Sequence, residues 1–226
     1  MDWRLNQGAS QAIISKKGAL LLIVQYLIGG LLGALGGCIA ILFAEDRWHL
    51  PLKELFLAES HGNRKRILLL LAGTLIGIYD IWLYQVIDLN FLGHLLLCIG
   101  LLSATPLDIN RHEISAALLL PFSILGVIYN ICWMDVGILI NSISGAVLGF
   151  AVLGIPYLLR KGSVGMGDLL LLTICGLYAG FPEVIYLLVR ALVFMAVWGI
   201  ISLVRKKVTA NSEIPFAPFL LLAALI

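Results

Sequence analysis

Gly137 to Leu159 reads GILINSISGAVLGFAVLGIPYLL, 23 residues in a row without a charged side chain. About 20 apolar residues cover the roughly 30 Å hydrocarbon core of a bilayer at about 1.5 Å per helical residue. The run is therefore read as a membrane-spanning helix. The same test carried outward finds seven more candidates, at 19–43, 67–87, 91–107, 114–133, 168–181, 184–204 and 214–226. Lipid offers no partner to a free backbone N–H or C=O, so the expected class is all-α, a polytopic membrane protein with about eight transmembrane helices. Two of these are short, because the sixth and eighth runs hold only 14 and 13 residues. At roughly 20 Å each they must tilt into a cavity or form half-helices.

Composition agrees. Of the 226 residues, 61% are apolar and 12% charged, with mean hydropathy +1.04, against about 45–50% apolar in soluble domains. Residues 1–226 read as one integral membrane domain, with the polar stretch 44–66 as its longest loop. The net charge of +2 names no partner, since the basic residues flank the spans, and nucleic acid is not expected. Cys38, Cys98, Cys132 and Cys175 each sit in an apolar run with no C-x-x-C pair, and are read as buried thiols, not metal ligands or disulfides. The apolar run after the polar opening Met1–Lys17 is too long for a signal-peptide core, so the first helix is expected to be retained.

Orientation follows from counting Lys and Arg in alternate loops. Eleven lie on one face: Arg47, Lys53, Arg64, Lys65 and Arg66 after the first span, then Arg111, then Arg160 and Lys161, then Arg205, Lys206 and Lys207. The other face has only Arg4, Lys16 and Lys17. The positive-inside rule places the eleven in the cytoplasm and both termini outside. On that topology Asp108, ending the third span, and Asp168, opening the sixth, share the cytoplasmic face.

Asp168 closes the tetrapeptide Gly165-Met166-Gly167-Asp168 at the mouth of an apolar run. A carboxylate is costly in hydrocarbon and usually functional there. Two aspartates close together in a partly dry site share a proton, one serving as base toward a water and the other as acid, which is the chemistry of metal-free peptide hydrolysis. Flanking glycines allow close backbone approach and unusual dihedrals. The competing reading is a glycine-rich turn whose aspartate caps the next helix.

Three separated stretches give the chain a resemblance to the prepilin leader peptidases, the Gly-x-Gly-Asp membrane aspartyl proteases that trim the leader from type IV pilin and type II secretion pseudopilin precursors. Leu107-Asp108-Ile109-Asn110 resembles the family's first-aspartate motif, Gly165 to Asp168 its second, and Glu213-Ile214-Pro215-Phe216-Ala217-Pro218-Phe219-Leu220 its proline-rich closing helix. The likeness runs from about residue 67 onward and includes Gly176 to Gly180. It implies a bacterial inner-membrane endopeptidase, with Asp108 and Asp168 as catalytic dyad and Gly165 and Gly167 shaping the substrate cleft. It also implies no cofactor for proteolysis, and a substrate with a short basic leader ending in glycine ahead of a membrane-borne apolar helix.

The departures bear on function. Bifunctional members of the family carry two C-x-x-C pairs in the first loop, whereas 44–66 has no cysteine and only His49 and His61 as candidate ligands, too few for structural zinc. Methyltransferase activity and S-adenosylmethionine as a cofactor are therefore not expected. Many members have a proline where this chain has Ser115, and a lysine where it has Leu170.

Tyr79-Asp80 suggests a rival dyad of presenilin type, but Asp80 lies about 13 residues into the second span, roughly 20 Å from the cytoplasmic side, and its expected role is structural. His112 and Glu113 read as turn residues with a possible influence on Asp108, and Arg190 either pairs inside the bundle or snorkels. The stripe of Gly29, Gly30, Gly33, Gly36 and Gly37 predicts close helix packing. Two alternatives to proteolysis stand: an ion-coupled transporter using Asp80, Asp108 and Asp168 as a relay, and an inactive pilus-assembly scaffold of the same fold.

Overall fold

The computed structural model describes residues 3–44, 63–85, 87–160, 164–205 and 214–226. Within them are eight helices and no strands: α1 (Trp3–Ala44), α2 (Asn63–Tyr84), α3 (Leu89–Arg111), α4 (Ala116–Cys132), α5 (Val136–Leu159), α6 (Met166–Ala179), α7 (Glu183–Val204) and α8 (Ala217–Ala224). Five contain stretches long and apolar enough to cross a membrane: Leu21–Phe43, Arg64–Tyr84, Leu89–Arg111, Val136–Leu159 and Glu183–Val204. The chain is thus an all-helical, multi-pass membrane protein. Besides α6, of 14 residues, and α8, of only eight, α4 also proves short, at 17. Most of the loop 44–66 lies outside the described residues.

Sequence chemistry sets the helix starts. Asp88 accepts from the Phe91 N–H at 2.8 Å to open α3, Ser115 accepts from Ala117 at 3.2 Å to open α4, and Asp135 accepts from Gly137 at 2.7 Å to open α5. Each satisfies an amide that has no partner within its own helix.

The glycine stripe of α1 packs as expected. Gly29, Gly33 and Gly37 face Gly73, Gly77 and the Leu69 carbonyl of α2, and a Cβ on Gly37 would stand 2.7 Å from that carbonyl oxygen. The stripe therefore brings backbone against backbone, where dispersion, not water release, holds helices together in lipid. A second seam joins α5 to α6: Gly145 and Gly149 meet the backbone at Gly176, Gly180 and Leu172. Above it, Asn130 of α4 donates to the Gly126 and Leu177 carbonyls at 2.8 and 3.0 Å and accepts from Ser142 of α5 at 2.5 Å, tying three helices together.

The core centres on α3. Phe91, Leu95, Cys98, Leu101 and Ala104 are buried against Leu118 of α4, Leu172 of α6, Ala191 of α7 and Leu220 of α8. α7 is the opposite case, with only 17% of its spanning window buried. Of the four cysteines, Cys98 and Cys175 are buried and Cys38 half-buried, but Cys132 is exposed at the end of α4. The expectation of four buried thiols fails there because apolar neighbours mark a membrane helix without saying which side faces the bundle.

Candidate active site

Asp108 lies in the last turn of α3 and is buried, 4% exposed. Its Oδ2 accepts the Ala217 N–H at 2.7 Å, so the carboxylate caps the first turn of α8. The arrangement suits both partners: the helix N-terminus has unpaired amides and a positive dipole end. α3 ends at Arg111 because the next residue, His112, adopts φ +52° and returns its N–H to the Asp108 carbonyl.

Asp168 sits three residues into α6, half-buried. The cap position of that helix is Gly165, which supplies no side-chain bond, and no described residue donates a hydrogen bond to the Asp168 carboxylate. Asp168 thus stands in the first turn of α6, where the helix dipole favours a carboxylate, but without the capping bond that Asp88 and Asp135 make to the amides of their helices. Instead Asp108 and Asp168 line one cavity of about 560 Å³. His112 and Gly165 join them, and the remaining wall is mostly apolar, with Val152 and Leu153 from α5, Leu188, Leu192 and Met195 from α7, and Phe216 ahead of α8.

The two glycines act through space, not through dihedral freedom. Gly165 has φ −70° and ψ 139°, open to any residue, and Gly180 is the only glycine with positive φ among the described residues. A Cβ on Gly165 would stand 3.2 Å from the Asp168 carboxylate, and one on Gly167 would stand 3.0 Å from the Ile114 side chain. The first absence leaves room at the carboxylate; the second lets α6 close against the segment that follows α3.

Asp80 is elsewhere. It is fully buried in α2 and bonded to His94 of α3, with 2.9 Å between Oδ1 and Nδ1. His94 precedes Asp108 by fourteen residues on one helix, about 21 Å of rise. A Tyr79-Asp80 dyad with Asp168 is excluded by that separation, and a three-aspartate relay loses its first station. The structure also names the partner that sequence left blank: no periodicity links Asp80 to a histidine on another helix. Arg190 donates to the Tyr186 carbonyl of its own helix at 3.3 Å and borders a second cavity, of about 420 Å³, beside His94. Glu113 is exposed and does not line the aspartate cavity, whereas His112 does. The Ala217 amide went unseen in the sequence because a backbone donor has no residue signature, although the closing segment around it was singled out.

Among the described residues no cluster of three or more His, Cys, Asp or Glu is placed to hold a metal ion. Residues 95–200 match the model of the type IV leader peptidase family. A prepilin leader peptidase/N-methyltransferase from Stutzerimonas stutzeri is 31% identical over 134 residues, 57% of this chain and 46% of that relative, so the chain spans about half the relative's length. No solved structure matches. The family match is narrower than the likeness from residue 67 onward, and leaves the closing segment outside it, yet it takes in both aspartates and the Gly-x-Gly-Asp turn. Through that central segment the chain is similar to the type IV leader peptidase family.

Proposed function

We propose that the chain is a membrane aspartyl endopeptidase that removes the leader from type IV prepilin-like or pseudopilin precursors at the cytoplasmic face of the bacterial inner membrane. The observation that carries this reading is the placing of Asp108 and Asp168, from two helices, on one otherwise largely apolar cavity. Like charges so arranged are costly together in a low dielectric, so the pair holds one proton between them. The ionised member draws a proton from a water as that water attacks the scissile carbonyl, and the protonated member hydrogen-bonds the carbonyl oxygen. Collapse of the tetrahedral intermediate then delivers a proton to the leaving amine.

The cavity wall from α5 and α7 suits an apolar helix, the class of segment that follows a prepilin leader. Backbone space beside Gly165 admits an extended strand next to Asp168. Membrane lipid is the surrounding partner. Co-expression with a model prepilin, with leader removal followed by gel shift, tests the reading. Cleavage by the wild type and by neither Asp108→Asn nor Asp168→Asn supports it; cleavage by both variants overturns the dyad.

A further inference from the structure

His94 makes a second bond that reaches the active site by way of α8. Its Nε2 lies 2.9 Å from the Ala224 carbonyl, the last residue of α8, while its Nδ1 meets Asp80. A carbonyl only accepts, so Nε2 carries hydrogen and donates, and a second hydrogen lies in the Nδ1–Oδ1 bond that joins the ring to Asp80. At its other end α8 begins with the Ala217 N–H on Asp108. α8 therefore runs antiparallel to α3 and is held at both ends by side chains of that one helix, a carboxylate at its N-terminus and an imidazole N–H at its C-terminus. Both satisfy orphan groups of the helix end and both complement its dipole. At eight residues, about 12 Å, α8 has too few internal bonds to hold itself in register, since helices this short are marginal without outside partners.

We propose that Asp80 and His94 are positioning residues for Asp108, setting the axial register of α8 so that the Ala217 amide meets the catalytic carboxylate. Asp80 orients the ring, much as an outer carboxylate orients a metal-bound histidine. Its other oxygen, Oδ2, has no hydrogen-bond partner among the described residues, so His94 is its one tie. The proposal rests on the proteolytic reading for its catalytic half, and on hydrogen exchange alone for its structural half.

The experiment compares His94→Ala, His94→Gln and wild type, full length in detergent or nanodiscs, by prepilin cleavage and by amide hydrogen exchange over residues 214–226. His94→Ala is expected to exchange faster in α8 and to lose about 10 to 100-fold in kcat, the range seen when an orienting partner is removed, with KM nearly unchanged. His94→Gln, whose carboxamide can still donate to Ala224, should recover much of both. Should the orphaned Asp80 carboxylate keep His94→Ala from folding, the Asp80→Asn/His94→Ala pair removes charge and donor together and is read the same way. Unchanged exchange in α8 overturns the clamp. Faster exchange with unaltered cleavage, or equal losses in Ala and Gln variants, overturns the positioning role. A wild type that cleaves nothing overturns the peptidase reading, while the exchange data still decide the clamp.

Discussion

α3 carries an acidic site toward each end, and the two are built on different terms. Toward its start, Asp80 is sealed from solvent and answered by a histidine. Toward its finish, Asp108 and Asp168 line one cavity that has no lysine or arginine among its described lining residues. In the first site charge is matched and the geometry closed, which favours a fixed structure. In the second, like charges are gathered beside room for a substrate, which is unfavourable unless a proton is shared. A buried carboxylate is thus a poor functional sign by itself; what distinguishes the two is whether its partner is a counter-charge or a competitor for the same proton.

The largest expected effect falls on the open end. Asp168→Ala and Asp108→Ala should each lower prepilin cleavage by about 10²–10⁴-fold, while Asp80→Asn leaves a slower but measurable enzyme; equal loss at Asp80 would erase the distinction. The closed end should instead register in stability. His94→Ala leaves a buried carboxylate without its counterpart and is expected to cost about 3–5 kcal/mol in reversible unfolding, against little for Asp168→Asn.

Smaller changes sharpen the contrast. Gly165→Ala has an unstrained backbone, so its methyl acts only by crowding Asp168. A loss of about tenfold in kcat with unchanged thermal stability is expected, given how steeply rate depends on placement. Smallest is Ser115→Pro. The residue already has φ −66° and ψ 135°, so the loss of its cap, about 1 kcal/mol, is offset by about 0.4–1 kcal/mol of restricted unfolded chain. Thermal unfolding should move little and cleavage hardly at all.

Much of this was legible in the chain. Apolar run length alone located the eight helices, because a bilayer leaves few alternatives. The α1 glycine stripe was visible because it lies on one continuous helix at helical spacing. The α5–α6 seam was not, since Gly145, Gly149, Gly176 and Gly180 are divided between two helices and only packing brings them together. Asp108 and Asp168 were found through motif and topology, whereas the links that organise them, His94 to Ala224 and Ala217 to Asp108, end on backbone atoms that any residue type would supply. Composition likewise placed Cys132 in a helix without saying which way it points.

α7 supplies three side chains to the aspartate cavity, yet little of its length is buried against the rest of the protein. A wall wetted mainly by lipid is one that a membrane-borne helix can approach sideways, without first entering water. On the proposed leader-peptidase reading this turns encounter into a two-dimensional search, in which the turnover of a precursor depends on copies per unit area of membrane and not on copies per volume of cell.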